Sequence, residues 1–145
     1  MNRSKQARRL RAAGQAMLVV LALLAPAWGK KHHDTTVDQN IATELVQMLS
    51  TGNFQGMVVH FNKDQRKEYS PAKLKQLWSA VLNEYGTFKK QLGLDAEDVP
   101  GYDIINVHCS FQYAPVIVRF VFSDHSLVDS VFFVPDTPKK NNPTT

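Results

Sequence analysis

Asp103, His108 and Tyr113 recur at intervals of five, a residue set that can build an acid–base pocket. They fall in a stretch that reads as a strand, where successive side chains point to opposite faces. Asp103 and Tyr113 then share the odd face and His108 points to the other, so the three cannot converge without a bulge. Arg119 and Asp129 are a second set. If even-numbered positions face the core in the last two strands, these two share the outer face as an exposed cross-strand ion pair. A third set is Lys30-Lys31-His32-His33-Asp34. If the chain is cleaved after Gly29, His32 becomes the third residue of a free N-terminus. Its imidazole, two amide nitrogens and the amine would make a square-planar site for Cu(II) or Ni(II). The plainer reading is a solvated leader that happens to contain histidines. His60 and His125 read as surface residues at a helix end and a turn. The lone Cys109 reads as a buried small hydrophobe, with no nearby base to activate it. There is no Gly-rich phosphate loop, no G-x-S-x-G, no HExxH and no paired Cys, so no catalytic set and no further cofactor is assigned.

The elements that must carry these residues follow from periodicity. A first helix starts near Thr36 or Asp38, where Thr36 to Gln39 has capping-box spacing. Ile41, Ala42, Leu45, Met48 and Leu49 make its apolar stripe and Gly52 closes it. Asn53 caps a short second helix with Phe54, Met57, Val58 and Phe61 on its apolar side. Ser70 and Pro71 open the third helix, whose stripe is Leu74, Leu77, Trp78, Val81, Leu82 and Tyr85, and Gly86 ends it. The period then changes to two. Strands are predicted over 87–92, 102–113, 116–122 and 127–134. An acidic loop over 93–101, a break at Ala114-Pro115 and a turn at 123–126 separate them. Three N-terminal helices followed by four strands predict an α+β domain. Its helices would cover one face of an antiparallel meander.

Residues 1–15 carry Arg3, Lys5, Arg8, Arg9 and Arg11 and no acid. An apolar run, AMLVVLALLAPA, and small residues at Ala25, Ala27 and Gly29 follow. This is the pattern of a secretory signal peptide. The run is too short for a spanning helix, which needs about 20 residues, so an uncleaved anchor is the weaker reading. The expected organisation is a signal peptide over 1–29, a polar leader over 30–36, one domain over 37–135 and a disordered tail over 136–145. The leader peptide holds five of the 17 Lys+Arg and none of the 13 Asp+Glu, which leaves 12 basic and 13 acidic residues, a net charge of −1. A near-neutral domain has no electrostatic footprint for nucleic acid or anionic lipid. Secreted or periplasmic location, without a stable membrane span after processing, is the expectation.

Three blocks give a resemblance. They are Ser70-Pro71-Ala72-Lys73-Leu74 through Trp78 to Tyr85-Gly86-Thr87-Phe88-Lys89, then Gly101-Tyr102-Asp103, then Phe120 through Phe132-Phe133-Val134-Pro135. In this order the chain resembles the bacterial domain-of-unknown-function family numbered 3887, over about 41–135. The resemblance implies an exported helix-plus-sheet domain, often found beside an α/β-hydrolase domain. It also implies a shape similar to the nuclear-transport-factor-two-like and cystatin-like groups. Asp124-His125 departs from the Asp-Gly common at that turn, and a short polar tail follows Pro135. The family has no established catalytic residues to carry over.

Ile117, Val121, Val131 and Phe133 have the parity opposite to the expected core set, where a solvated face should be polar. They are the candidate interaction face. The function expected is a non-catalytic exported module that binds itself, as a dimer, or an envelope protein. The alternative is a small-molecule or acid–base pocket between the third helix and the sheet, drawing on Trp78, Tyr102, Asp103 and Tyr113.

Overall fold

A computed structural model describes residues 34–137. Three α-helices come first: α1 (Thr36–Thr51), α2 (Phe54–Val58) and α3 (Pro71–Tyr85). Four strands follow: β1 (Phe88–Val99), β2 (Tyr102–Phe111), β3 (Val116–Ser123) and β4 (Leu127–Pro135). They form one antiparallel sheet in the order β1-β2-β3-β4. The class is α+β, as the periodicity predicts. Helical structure is not confined to the stretch before the sheet, because a 3-10 turn, Asp124–Ser126, joins β3 to β4.

The helix ends follow their local chemistry. At the start of α1 the Asp34 carboxylate accepts from the Thr36 N–H at 3.0 Å. Gln39 Nε2 donates to Thr35 Oγ1 at 3.3 Å, and the Thr35 side chain accepts no backbone N–H, so the capping box expected over Thr36 to Gln39 does not form. Gly52 closes α1 with φ 75; its N–H donates to Leu49 O and the Asn53 N–H donates to Met48 O, the paired bonds of a Schellman ending. The Asn53 side chain accepts from Gly56 N at 3.1 Å to start α2. Ser70 Oγ accepts from Lys73 N at 3.3 Å, with Pro71 at the first position of α3.

One buried cluster joins the helices to one face of the sheet. Ala42, Leu45, Val46 and Leu49 of α1, Met57 of α2 and Leu74, Trp78 and Val81 of α3 meet Ile105, Val107, Cys109 and Phe111 of β2. Phe61 after α2, Val116, Val118, Phe120 and Phe122 of β3 and Val128 and Val131 of β4 complete it. Leu77, counted on the α3 stripe, is largely exposed instead.

Two strand expectations are corrected. The acidic stretch after residue 92 is strand, not loop: β1 continues to Val99 and pairs with β2 through Leu94↔Val107, Asp95↔Asn106, Ala96↔Ile105 and Glu97↔Ile104. Asp, Glu and Gly are poor strand formers by composition, yet an edge strand tolerates charge on its open side. The hairpin tip is Pro100-Gly101, with Gly101 at φ 86, the residue pattern of a type II turn. The second correction is a β-bulge. Val121 pairs with Ser130 and Phe122 with Val128, so Asp129 is an extra residue in β4. The bulge reverses the parity of β4 beyond it. Val131 and Phe133 therefore face the core beside Phe120 and Val118, not the outside.

Candidate site on the outer face of the sheet

On the face opposite the helices, side chains align in rows that cross the strands. Gly93, His108, Ile117 and Val134 form one row. Asp95, Asn106, Arg119 and Phe132 form the next, and Glu97, Ile104, Val121 and Ser130 the third. The left and centre of this grid are polar and continuously bonded. Asn106, only 2% exposed, donates through Nδ2 to Asp95 Oδ1 at 2.9 Å and to Glu97 Oε1 at 2.8 Å. Its Oδ1 accepts from Arg119 Nε at 2.7 Å, and Arg119 lies 3.9 Å from Glu97. Asn106 thus uses both ends of its amide to hold two carboxylates and a guanidinium in one plane of contacts.

His108 joins this network at its other end. Its Nε2 is 2.6 Å from Asp95 Oδ2 and its Nδ1 is 2.7 Å from Asp136 Oδ2, just past the end of β4. The hydrogen bonds to Asp136 and Asp95 raise the imidazole pKa above its ordinary value, outweighing the opposing effect of burial. The bonds from Asn106 and His108 hold the Asp95 carboxyl below its ordinary value. Both ring nitrogens are occupied, so His108 is neither an idle base nor a metal ligand in this arrangement. Among the described residues no group of three or more His, Cys, Asp or Glu could hold a metal ion.

Apolar side chains frame the polar centre. Phe132 is 50% exposed, and Ile104, Ile117, Val121 and Val134 are partly exposed around it. Of the four residues expected on this face, Ile117 and Val121 lie on it. Val131 is buried and Phe133 packs against Trp78 at 6.1 Å between ring centroids, on the core side, because the Asp129 bulge shifts the alternation. Phe132 and Val134 take their places.

The other candidates are dispersed. Trp78 packs among Phe88, Phe111 and Phe133, with centroids 5.6–6.1 Å away. Asp103 is buried and Tyr102 exposed at the start of β2, while Tyr113 follows the far end of that strand and is 70% exposed. Ten residues of strand separate the two ends by roughly 30 Å, so the set does not converge on one pocket. An open groove of about 520 Å³ does border α3, but Gln65, Glu68, Tyr69, Lys73, Gln76, Leu77 and Ala80 line it and none belongs to the sheet. Arg119 and Asp129 do not pair. Arg119 turns to Asn106 and Glu97, and Asp129, displaced by the bulge, accepts a hydrogen bond from the Asn62 side chain. Cys109 is buried, and burial pushes its thiol pKa up to about 12, far from a reactive thiolate. His32, with the copper or nickel site suggested for it, lies outside the described residues.

Asp95, Glu97, Asn106, Phe132 and Asp136 were not singled out in the sequence. One signal for the acids was present: Leu94-Asp95-Ala96-Glu97 alternates with period two inside the stretch that its composition marks as loop.

Residues 42–129 match the model of a family described as protein of unknown function, DUF3887. That is more than half of the chain. The chain belongs to this family. The matched stretch runs from α1 into β4 and holds Asp95, Glu97, Asn106, His108 and Arg119 of the DUF3887 domain, while Phe132, Val134 and Asp136 lie past its end. No curated protein and no solved structure matches the chain. No helix among the described residues is long and apolar enough to cross a membrane.

Proposed function

We propose that this DUF3887 domain is an exported, non-catalytic module that binds protein through the outer face of its sheet, first of all a second copy of itself. The observation that carries the reading is Phe132, half exposed on the edge strand β4 in the apolar frame of that face, with Ile117, Val121 and Val134. Each such side chain left in water forgoes about 1.5–3 kcal/mol of burial. The Asn106-centred network supports the reading because it holds the charged side chains of the face in fixed positions before any partner arrives. Two sheets stacked face to face at ~10 Å would bury the apolar frame in a symmetric pair, with an envelope protein as the other kind of partner. The basic head and short apolar run of residues 1–29 support export to the periplasm or medium. We read the order of helices and strands as that of the nuclear-transport-factor-two-like or cystatin-like groups. A small-molecule pocket beneath α3 has less support, since aromatic side chains surround Trp78 there.

Sedimentation of the protein at micromolar concentration tests the assembly. A dimer that Phe132→Lys converts to monomer is the expected result. A monomeric wild type that also captures no envelope protein by cross-linking through position 132 would overturn the reading. Intact mass of the exported protein tests the address: loss of 1–29 or 1–27 is expected.

A further inference from the structure

We propose that Asp95, His108 and Asp136 form a proton-operated clasp. It fastens the chain leaving β4 to β1, the opposite edge strand of the sheet, and releases it when His108 gives up a proton. The inference stands whether or not the outer face docks a partner. It begins from donor and acceptor counts. A carboxylate oxygen lies 2.7 Å from Nδ1 and another 2.6 Å from Nε2. Ionised carboxylates only accept, so both ring nitrogens must donate, and only the imidazolium has two N–H groups. A neutral ring turns a lone pair toward one of the two carboxylates, and that contact becomes repulsive.

The two arms are not equally free to leave. Asp95 is held in the ladder of β1 opposite Asn106 and receives a second hydrogen bond from Asn106 Nδ2. Asp136 follows the last residue of β4 and has one backbone bond, from its N–H to Pro115 O at 3.1 Å. Opening therefore moves the Asp136 side. The bond from His108 to Asp136 spans the row that holds Ile117 and Val134, so its loss frees the chain end alongside the apolar frame.

The charged groups around the ring agree with this assignment. β1 contributes Asp95 and Glu97 and, one row on, Lys90 opposite Ser110; β3 contributes Arg119; the end of β4 contributes Asp136. Arg119 is turned toward Asn106 and Glu97, leaving the two Asp carboxylates as the direct partners of the ring. The ring is 30% exposed, so its proton exchanges with solvent directly. The raised imidazole pKa has the direction that two carboxylate partners require.

Proton NMR of the full chain across pH tests the clasp, with His108→Gln assigning the His108 signals. The expected result is that His108 titrates above the ordinary histidine value, and that the backbone amide signals of Asp136 and Thr137 shift with the same midpoint. Asp136→Asn should lower the His108 midpoint by about one pH unit and abolish the coupled shift at 136–137. Asp95→Asn should lower the midpoint and weaken the coupled shift, because with one carboxylate left a neutral ring can keep its Nδ1–H on Asp136 and turn its lone pair to the amide at position 95. A His108 midpoint at or below the ordinary histidine value overturns the proposal. So do 136–137 amides that stay unchanged while His108 loses its proton.

Discussion

Along the inner face of the sheet, Ile105, Val107, Val118 and Phe120 are fully enclosed by the helices. One residue away on the same strands, Asn106, His108 and Arg119 join a polar network through Asp95, with none of the described helices over it. Both faces are ordered, but by different means. The inner face gains from removing apolar surface from water, a force that is non-directional and tolerates small shifts. The outer face depends on donors meeting acceptors at fixed distances, where one missing group strands its neighbours. The difference predicts that inner substitutions act on stability at every pH, whereas outer ones act locally, through pH or through association.

The largest effect is expected at Trp78, whose ring meets Phe88, Phe111 and Phe133. Trp78→Ala should lower stability by about 3–5 kcal/mol in urea unfolding, nearly independent of pH. On the outer face Asn106→Ala removes the amide that links Asp95, Glu97 and Arg119. A loss of about 1–3 kcal/mol is expected, and a cost near that of Trp78→Ala would erase the contrast between the faces. His108→Gln should cost less, about 1 kcal/mol or below, because its partners are partly exposed and water screens the pairs. Its effect has a pH signature. The raised His108 pKa makes its contribution complete below the ordinary value of 6.5 and removes it as pH climbs through the raised value. The lowered Asp95 pKa acts at the acid end: its contribution is complete above the ordinary 3.8 and disappears as pH falls through the lowered value. The difference between wild type and His108→Gln should therefore be widest in the window between those two titrations and vanish in alkali. Phe132→Lys should change stability least, by under about 0.5 kcal/mol, while shifting sedimentation from dimer to monomer. A large loss of stability there would place Phe132 in the core and not on the docking face.

The helices and the inner face were legible because their signals are local. Ser70, Pro71 and Gly86 bracket α3, and the odd residues of 105–111 and even residues of 116–122 alternate without interruption. The Asp129 bulge was not legible, since one added residue leaves no mark in composition and yet exchanges the faces of Val131 and Phe133. The polar plane was hidden for a related reason. Asp95 meets His108 and Asn106 only once the register of β1 against β2 is known, and Asp95 lies in a stretch whose acids and glycine disguise a strand. His108 lies on the face opposite Asp103, as alternation along the strand requires, but its partners come from β1 and from the residue after β4.

The two outer hairpins close through unlike turns, and this bears on the order in which the sheet assembles. β1 and β2 meet at Pro100-Gly101, where the proline has its φ set in advance and the glycine enters φ 86 without steric cost. β3 and β4 meet at Asp124–Ser126, where His125 at φ 66 and Ser126 at φ 56 are both left-handed without being glycine. Each carries a penalty of roughly 1–2 kcal/mol that an isolated hairpin has little to set against. The first hairpin can form early from its own sequence. The second depends on Phe120, Phe122 and Val128 packing with the helices to offset the strain of its turn, and the placing of Asp136 beside His108 depends on the same packing.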